Sequence, residues 1–380
     1  MHNYNVLVFG GNHHNTLGVL RSLGRRGIRP DLLLVDPDRQ GYVAKSRYIN
    51  ELYVCETYPN ALDWLKEGYR HKGEKTVVIC TSDHAICIID ENSHSLSSRY
   101  VLPGSILHGQ ISKYMDKQLM AKLAVEVGLR VPHSYNAEGG VLPKEVGLPC
   151  IVKPLRSVEG TKGDIVVCYN KSDVERYNAG RTPNADIQVQ DYIEKDYEYQ
   201  LIGCSINSGE TVIIPGVSKI ISAAEGSNTG FLKYEQLDRS YPIKECKAFI
   251  QRIGYSGLFS IEFIRDRSGV DYFMEMNFRN DGNAICVTKA GVNLPYIWYL
   301  SGIGRPYDGE IKAILPVYVM PEFDEMLRIP KHKLTFSTWV KEMIKADAYM
   351  EFDIKDQFPF WNRIGFYVKL IVRKALSKIK

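Results

Sequence analysis

The chain has 380 residues, of which 44% are hydrophobic and 24% charged, so it is long enough for two or three ordinary globular domains. Its formal net charge is only +4, and no basic run alternates with aromatic residues, which argues against nucleic acid as a partner. The eight cysteines include no C-x-x-C pair, no leader-like segment precedes the first strand, and no apolar run is long enough for a bilayer, so we expect buried thiols and a cytoplasmic protein.

Strands and helices alternate through the first hundred residues. The apolar pattern of buried strands occurs in "YNVLVFGG", "PDLLLVDPD" and "KTVVICTSD", and that of helices in "NTLGVLRSLGRRG", which ends at Gly27, and "HAICIIDENSHSL". This order predicts a parallel sheet with crossover helices, whose ligands lie beyond the carboxyl ends of the strands. The residues predicted at that edge are Gly10, Gly11, Asn12, Asp36 and Thr81 to Asp83.

The loop "GGNHHNTLG" after the first strand suggests a dinucleotide site, with Asp36 as the acid that binds the ribose. The spacing does not fit, because Gly10 and Gly11 are adjacent and the next glycine is Gly18. A tight turn explains the glycine pair better, and this weakens a dehydrogenase as the function of the sheet.

The pattern changes near residue 110. "SKYMDKQLMAKLAVEVG" predicts one helix, with Ser112 as its N-cap and Gly128 as its end. Two strands, "LPCIVKP" and "IVVCYN", flank the loop "LRSVEGTKGD", and "NADIQVQDYIEKDYEYQLIGCSI" predicts a strand, a turn and a further strand. "GLFSIEFIRDRSGVDYFMEMNFR" predicts a β-hairpin that turns at Asp266–Gly269.

The two arms of this hairpin carry polar side chains in alternate positions. Glu262 and Glu275 can meet on one face, with Asn277 and Arg279 in the same register. Two carboxylates this close repel each other unless a cation lies between them, and Mg²⁺ suits such oxygen ligands. For the two glutamates alone, a solvated sheet face is the simpler explanation, and the added amide and guanidinium favour a ligand site. The side chains predicted on the opposite face are Tyr272, Met274 and Met276.

The loop "RSVEGTKGD" lies between two strands and not before a helix. This argues against a Walker-type loop and fits a flap whose backbone amides cover phosphates, although a surface turn fits equally well when the loop is taken alone. Lys153 lies in the buried strand "CIVK", where an unpaired ammonium is costly and a polyphosphate would neutralise it. Lys117 has a weaker claim, because a single lysine on a helix is usually solvated.

The turn in "VQDYIEKDYEY" offers groups that suit a nucleoside. Gln190 would face an adenine edge, and Tyr192 and Ile193 would supply main-chain hydrogen bonds. Glu198 would accept hydrogen bonds from ribose hydroxyls. Without the neighbouring motifs, an ordinary hairpin explains this segment.

Taken in order, these motifs resemble those of the ATP-grasp superfamily, from about Lys113 to Asn283. The matching motifs are the "MDK" lysine, the "IVKP" lysine, a flexible flap, a "Q-x-Y-I…E" hinge and a closing "E…E-x-N-x-R". Within the superfamily the chain is most similar to the carboxylate–amine ligases, a group that includes D-aspartate ligase. One departure is Phe278, where the family often has proline.

The resemblance implies ATP and Mg²⁺ as cofactors, with Mn²⁺ as an alternative ion, and it gives each matching residue a role. The implied ATP ligands are Lys117, Lys153, the flap residues Glu159, Gly160 and Gly163, the hinge residues Gln190, Tyr192 and Ile193, and Glu198 at the ribose. The implied metal ligands are Glu262, Glu275 and Asn277. The implied catalytic residues are Arg279, which binds the reacting carboxylate or acyl phosphate, and Lys219 in "PGVSKII", a further phosphate ligand.

The expected fold is α/β and α+β, in four parts. A Rossmann-like parallel-sheet domain (1–110) precedes an ATP-grasp domain of two α+β subdomains, one with the flap and adenine hinge (111–205) and one with the metal site (206–325). A C-terminal helical extension (326–380) follows. The implied enzyme is an ADP-forming ligase that activates a small-molecule carboxylate as an acyl phosphate and couples it to an amine. Homodimers are common in similar enzymes. The alternatives are a non-catalytic ATP-binding regulatory or scaffold protein and a bicarbonate-phosphorylating, carboxylase-like enzyme.

From about Pro330 the chain has no counterpart in these motifs. "KDQFPFWNRIGFYVKLIVRKALSKIK" predicts a helix with apolar residues at helical spacing and a basic edge. This helix either packs on the core with its basic edge in water or lies on an anionic membrane, at its inner face. In the second case the aromatic residues at the interface are Phe358, Phe360, Trp361 and Phe366.

Overall fold

A computed structural model describes most of the chain. The N-terminal strands form the first of its sheets. The described residues are 5–38, 41–69, 75–137, 142, 144–154, 166–179, 187–223, 229–331 and 333–376. The five strands of the first sheet are β1 (Val6–Gly11), β2 (Asp31–Val35), β3 (Leu52–Cys55), β4 (Thr76–Cys80) and β5 (Tyr100–Val101). They pair in parallel in the order β3-β2-β1-β4-β5, which confirms the predicted Rossmann-like sheet.

Helices cover both faces of this sheet. They are α1 (His14–Gly24), α2 (Tyr58–Asp63), α3 (Asp83–Glu91) and α4 (Ser93–Leu96). Alternate residues of β1 face opposite ways, so Val8 packs in one core with Leu17 of α1 and Phe9 packs in another with Ile86 of α3. The first helix ends before Gly27, which lies in the following turn with a φ of +78°.

The helix predicted from Ser112 to Gly128 is two helices. α5 (Gln110–Tyr114) ends, and α6 (Lys117–Glu126) begins after Asp116. The Asp116 carboxylate accepts hydrogen bonds from the backbone N–H groups of Gln118 and Leu119, both at 2.9 Å. These bonds satisfy two of the free amides of a helix start, so Asp116 is the N-cap and the prediction of Ser112 was wrong. The break puts Lys117 in the first position of α6.

Replacing Asp116 with alanine is expected to lower the free energy of unfolding by about 1 kcal/mol, because the cap bonds are lost. Urea unfolding followed by circular dichroism measures this change. Gln118→Ala is the control, since its exposed side chain caps nothing and the substitution should leave the midpoint unchanged. Equal midpoints for the two variants would contradict the assignment of the cap.

A second, smaller sheet follows α6. Its strands are β7 (Ser134–Ala137), β8 (Cys150–Pro154), β9 (Val166–Cys168) and β10 (Ile187–Asp191), in the antiparallel order β7-β10-β8-β9. The helix α7 (Lys171–Ala179) packs on it through Val174, which shares a core with Val152 and Val189. This sheet holds the predicted "IVKP" lysine on its central part.

The third sheet is the largest, with nine strands, and contains the predicted hairpin. Its strands are β6 (Gly104–Ser105), β11 (Lys195–Ile206), β12 (Thr211–Ile213), β13 (Val217–Ala223), β14 (Gly230–Glu235), β15 (Tyr255–Asp266), β16 (Asp271–Asn277), β17 (Val317–Met320) and β18 (Ala348–Tyr349). Seven of them pair in the order β16-β15-β11-β13-β14-β17-β18, while β6 pairs with β15 and β12 pairs with β11. The strand β11 belongs to this sheet from Lys195 onward, before the predicted boundary at residue 206.

The helices α8 (Ile243–Ile253), α9 (Ile285–Lys289) and α10 (Leu294–Gly302) pack on this sheet. Phe249 of α8 shares a core with Phe263 on one face, and Ile297 of α10 shares a core with Ile202 on the other. Both cores continue into the N-terminal sheet. The large sheet and the N-terminal sheet are therefore held together by continuous apolar packing.

A β-bulge changes the predicted faces of the hairpin. Glu262 pairs with Glu275 but Phe263 pairs with Phe273, so Met274 is an extra residue in β16. Phe273 and Met276 consequently enter the same core, and Tyr272 opposite Ile264 lies on the face of the glutamates. The prediction that Tyr272, Met274 and Met276 share the opposite face was wrong.

The C-terminal extension contains α11 (Glu322–Met326), α12 (Phe336–Lys345), α13 (Phe358–Leu376) and the strand β18, which pairs in parallel with β17. The extension therefore adds a strand to the large sheet as well as helices. Within the described residues, no helix has the length and hydropathy to span a membrane. All eight cysteines are free, and six are buried, as predicted.

Candidate active site

The acidic pair predicted from the hairpin comes together in the structure. Glu262 of β15 lies directly opposite Glu275 of β16. Asn277 donates a hydrogen bond from Nδ2 to Glu262 Oε1 at 3.0 Å, and Gln200 of β11 donates to the same oxygen at 3.2 Å. Three neighbouring strands thus converge on one buried carboxyl group.

The environment of Glu262 opposes a negative charge there. Burial raises the pKa of Glu262 to about 8, and the negative charges of Glu275 and Asp281 add to the shift. A divalent cation would reverse this effect by neutralising both carboxylates. No group of three or more His, Cys, Asp or Glu side chains suited to a metal occurs among the described residues. Two carboxylates and an amide fit Mg²⁺, which takes its other ligands from water and phosphate.

Binding of magnesium and nucleotide is expected to release close to one proton at about pH 7, because the raised pKa of Glu262 keeps it protonated in the free protein. Affinity should increase as the pH rises toward 8. Isothermal titration in buffers of different ionisation enthalpy counts the released protons. The same titration at about pH 9, above the pKa of Glu262, is the control. It should show proton uptake and no release, because Lys153, with a pKa of about 8, is mostly neutral there until phosphate binds. Buffer-independent heats at pH 7 would contradict the metal assignment.

Two lysines lie beside the acidic pair. Lys117 Nζ is 3.1 Å from Glu275 Oε2, and Lys153 Nζ is 3.4 Å from Gln190 Oε1. Burial and the charge of Lys117 together lower the pKa of Lys153 to about 8, against the opposing effect of Glu275. The small sheet, α6 and the hairpin therefore bring two lysine side chains and two carboxyl groups close together. A bound metal–polyphosphate would neutralise both sets of charges.

The predicted hinge connects the small sheet, which carries Lys153, to the large sheet, which carries the acidic pair. Tyr192 and Ile193 lie between β10 and β11 in irregular, half-buried backbone. Glu198 Oε1 is 2.6 Å from Lys195 Nζ, and the Nε2 atom of Gln190 donates to Ser134 Oγ at 3.0 Å. The adenine and ribose roles of these residues remain predictions. The flap residues Glu159, Gly160 and Gly163 lie outside the described residues.

Arg279 connects the acidic pair to the N-terminal sheet. Its Nη2 donates to Asn277 Oδ1 at 3.0 Å, its Nη1 lies 3.2 Å from Asp281 Oδ2, and its Nε lies 3.1 Å from Asp83 Oδ1. Only 16% of the side chain is exposed, and Asp83 is the first residue of α3. A guanidinium with acidic and amide groups on three sides has a fixed direction, which suits the binding of an anionic group.

The backbone before Arg279 is fixed by burial of Phe278, which stands where similar proteins often have proline. Phe278 is fully buried, and its ring packs edge-on against Tyr255 with the centroids 5.2 Å apart. The Tyr255 hydroxyl also donates a hydrogen bond to the Phe278 carbonyl at 2.8 Å. These contacts hold the segment that carries the guanidinium, a task that proline performs by fixing φ.

The structure does not bring Lys219 to this site. Lys219 is paired with Tyr199 of β11, which is paired with Phe263 of β15. The next residues along β11 and back along β15, Gln200 and Glu262, are paired with each other and point to the other face. The Lys219 side chain therefore lies on the opposite face of the sheet, where it forms an ion pair with Glu235 at 2.5 Å. The prediction of Lys219 as a phosphate ligand was wrong for this arrangement, because the face of a strand residue depends on its pairing.

Sequence reasoning missed several polar residues that surround the acidic pair. Alternation along β11 could have revealed Gln200, which lies two residues after Glu198 on the same face. Asn283 donates to Gln200 Oε1 at 2.7 Å, and Ser260 donates to Asp281 Oδ2 at 2.8 Å. These contacts join segments that are far apart in the sequence.

The carboxyl edge of the N-terminal sheet reaches the same region. Asn15 of α1 donates to the Asn280 carbonyl at 2.5 Å, and the Asn280 backbone amide donates to the Cys80 carbonyl at 3.1 Å. His14 is buried, and its Nε2 has no hydrogen-bond partner among the described residues. The predicted ligand edge of the parallel sheet therefore adjoins Arg279.

No protein-family model matches the chain. Among curated proteins it is similar to formate-dependent phosphoribosylglycinamide formyltransferases. That of Maridesulfovibrio salexigens is 32% identical over 111 residues, covering 27% of this chain and 28% of the relative. That of Nitratiruptor sp. is 23% identical over 249 residues, which cover 57% of this chain and 61% of the relative. The chain thus spans less than two thirds of the length of these relatives.

Solved structures show the same fold over most of the chain. The L-amino acid ligase from Bacillus licheniformis has a TM-score of 0.61 at 16% identity and covers 83% of this chain and 79% of its own. The N5-carboxyaminoimidazole synthetase from Staphylococcus aureus has a TM-score of 0.65 at 15% identity and covers 87% and 85%. The biotin carboxylase from Campylobacter jejuni has a TM-score of 0.60 at 15% identity and covers 83% and 74%.

Proposed function

We propose, on the premise that this chain has the ATP-grasp fold, that it is an ATP-dependent carboxylate–amine ligase. A carboxylate oxygen would attack the γ-phosphorus of ATP, the bond from that phosphorus to the β-phosphate oxygen would break, and an acyl phosphate and ADP would form. An amine nitrogen would then attack the acyl carbon and expel phosphate. The amine loses a proton in this step, and the product is an amide.

The observation that carries this proposal is the pair Glu262 and Glu275, with a pKa of about 8 at Glu262, close to Lys117 and Lys153. Mg²⁺ bound by the pair and Asn277 would supply positive charge to the transferred phosphoryl group. The lysines would bind phosphate oxygens, and Arg279 would hold the reacting carboxylate in line. Phosphoryl transfer requires mainly positioning and charge neutralisation, and these residues offer both.

The names of the similar proteins agree with this chemistry. Formate, a carboxylate, occurs in the name of the curated relatives, and an L-amino acid ligase is among the structural neighbours. A neighbouring biotin carboxylase domain was crystallised with magnesium-bound ADP. The finer likeness to D-aspartate ligase stays a prediction.

The experiment that tests the function is a screen of carboxylates crossed with amines in the presence of magnesium and ATP. ADP release that requires both a carboxylate and an amine, with a product mass equal to their condensation, supports the ligase. The non-catalytic alternative predicts that ATP binds without turnover for every pair. If NADH binds and ATP does not, the proposal fails.

A second candidate is an enzyme that phosphorylates bicarbonate. The observation in its favour is that the same neighbouring domain, from Hydrogenobacter thermophilus, was crystallised with a bicarbonate anion as well as ADP. Bicarbonate belongs in the screen as one of the carboxylates. ADP release that depends on bicarbonate and on no other carboxylate would favour this candidate.

We also propose a cytoplasmic location and a homodimer. Buried free thiols are typical of a reducing compartment, which supports the first. The biotin carboxylase domain from Hydrogenobacter thermophilus crystallised as a dimer, which supports the last. Sedimentation velocity tests the dimer directly.

A further inference from the structure

The last helix, α13, has two apolar faces, and the residues that the structure describes cover one of them. Phe360 and Tyr367 point inward, where each packs against Phe323 of α11 with centroids 5.5 and 5.6 Å apart. Arg363 lies between them in sequence, with its guanidinium 4.8 Å from the Phe323 ring centroid and 5.0 Å from that of Tyr42. These contacts fix the helix and its rotation about its own axis on the protein.

The opposite face, here called the outer stripe, consists of Phe358, Trp361, Gly365, Val368 and Val372. Their spacing of three and four residues puts them on one side of a helix. The exposed fractions are 72% for Phe358, 55% for Trp361, 53% for Val368 and 49% for Val372. A Cβ atom built at Gly365 has no described residue outside the helix within 4 Å, so the stripe is also open at its middle.

The charged residues of the segment that carries the outer stripe have one sign. Residues 357–380 contain six lysines and arginines and no acidic residue. Arg363 is turned inward onto Glu351, and Lys369 is exposed beside the stripe. Lys355, just before the helix, is also exposed, whereas the neighbouring acid Asp356 is buried against Arg21. The stripe therefore presents apolar side chains beside the exposed Lys355 and Lys369.

We propose that the outer stripe docks on an anionic phospholipid surface as a peripheral membrane contact. Aromatic and aliphatic side chains on an exposed helix face, flanked by lysines, fit the boundary between acyl chains and headgroups. A second copy of the chain fits less well, because two such helices would bring positive charges together without an acidic partner. The helix α13 contacts Tyr42, and the next residue, Val43, donates a backbone hydrogen bond to Asn12 Oδ1 at 3.2 Å. Asn12 belongs to the predicted ligand edge of the N-terminal sheet. Docking would therefore bring that edge close to the bilayer.

The test is co-sedimentation of the full-length protein with phosphatidylcholine vesicles that contain or lack phosphatidylglycerol. Wild type should sediment with the anionic vesicles, and added salt should release it. The double variant Phe358→Ser with Trp361→Ser should lose about tenfold or more in vesicle affinity, and Lys369→Glu should lose several-fold. Ile106→Ser is the matched control, because Ile106 is 76% exposed on a distant loop and its replacement should change nothing.

Three results would overturn the proposal. The first two are equal sedimentation of wild type and the double variant, and no binding of wild type to anionic vesicles. The third is a dimer in sedimentation velocity that the double variant dissociates, which would assign the stripe to a second copy. ADP release in solution should be the same for the double variant and wild type, so failure of the membrane contact is distinguishable from failure of the ligase chemistry.

Discussion

Replacing Glu275 with glutamine is expected to lower the rate of ADP release by about a hundredfold or more, without lowering the thermal stability of the free protein. Glutamine keeps the shape but removes one of the two negative charges that would bind Mg²⁺ at the transferred phosphate. Stability should not fall, because Glu275 repels the ionised form of the buried Glu262 carboxyl and raises its pKa. The lost ion pair with Lys117 is largely exposed and therefore weak.

The measurement is steady-state ADP release together with a thermal melt of the same samples. Glu210→Gln is the control, because Glu210 is exposed in a turn of the same sheet region and the substitution is chemically identical. A Glu275→Gln enzyme with turnover near wild type would show that the pair does not bind the metal. A loss of activity accompanied by unfolding would show a structural role instead.

Replacing Arg279 with lysine is expected to lower kcat/KM for the carboxylate substrate by about a hundredfold while nucleotide affinity changes little. Lysine keeps the charge but cannot reach Asn277, Asp281 and Asp83 at once, so the group that would hold the carboxylate loses its direction. The buried Asp281 would also lose a partner, which should cost about 1–3 kcal/mol of stability.

Kinetics at varied carboxylate and at varied ATP separate these effects. Arg267→Lys is the matched control, since Arg267 lies at the turn of the same hairpin and its ion pair with Glu194 is exposed. That variant should behave as wild type. An Arg279→Lys enzyme that loses affinity for ATP and for the carboxylate equally would indicate that the substitution disrupts the whole site.

The parts of the site that could be predicted from the sequence are those set by local geometry. The tight turn at Asp266–Gly269 determines the antiparallel pairing of the residues nearest to it, so the approach of the two arms that carry Glu262 and Glu275 was predictable. Their direct pairing was not, because the register set by the turn would place Glu262 opposite Met274, and the bulge shifts it to Glu275. The parallel sheet was likewise predictable, because apolar strands alternate with amphipathic helices. The same is true of the burial of Cys80 and Cys150, which lie within strands.

The rest depends on contacts between distant segments or on single-residue irregularities. The face of Lys219 is set by pairing with β11, and the bulge at Met274 reverses the face of Tyr272. The break before Lys117 interrupts an apolar pattern that is continuous across it. Arg279 meets Asp83 across 196 residues of chain, which no local pattern indicates.

The transfer of oxygen from the carboxylate substrate tests the central claim most directly. With a carboxylate found in the screen and labelled with ¹⁸O, attack on the γ-phosphorus followed by displacement by the amine must place one labelled oxygen in the released phosphate. The account predicts that phosphate gains this label in step with amide formation. Unlabelled phosphate accompanying a labelled amide would contradict activation as an acyl phosphate.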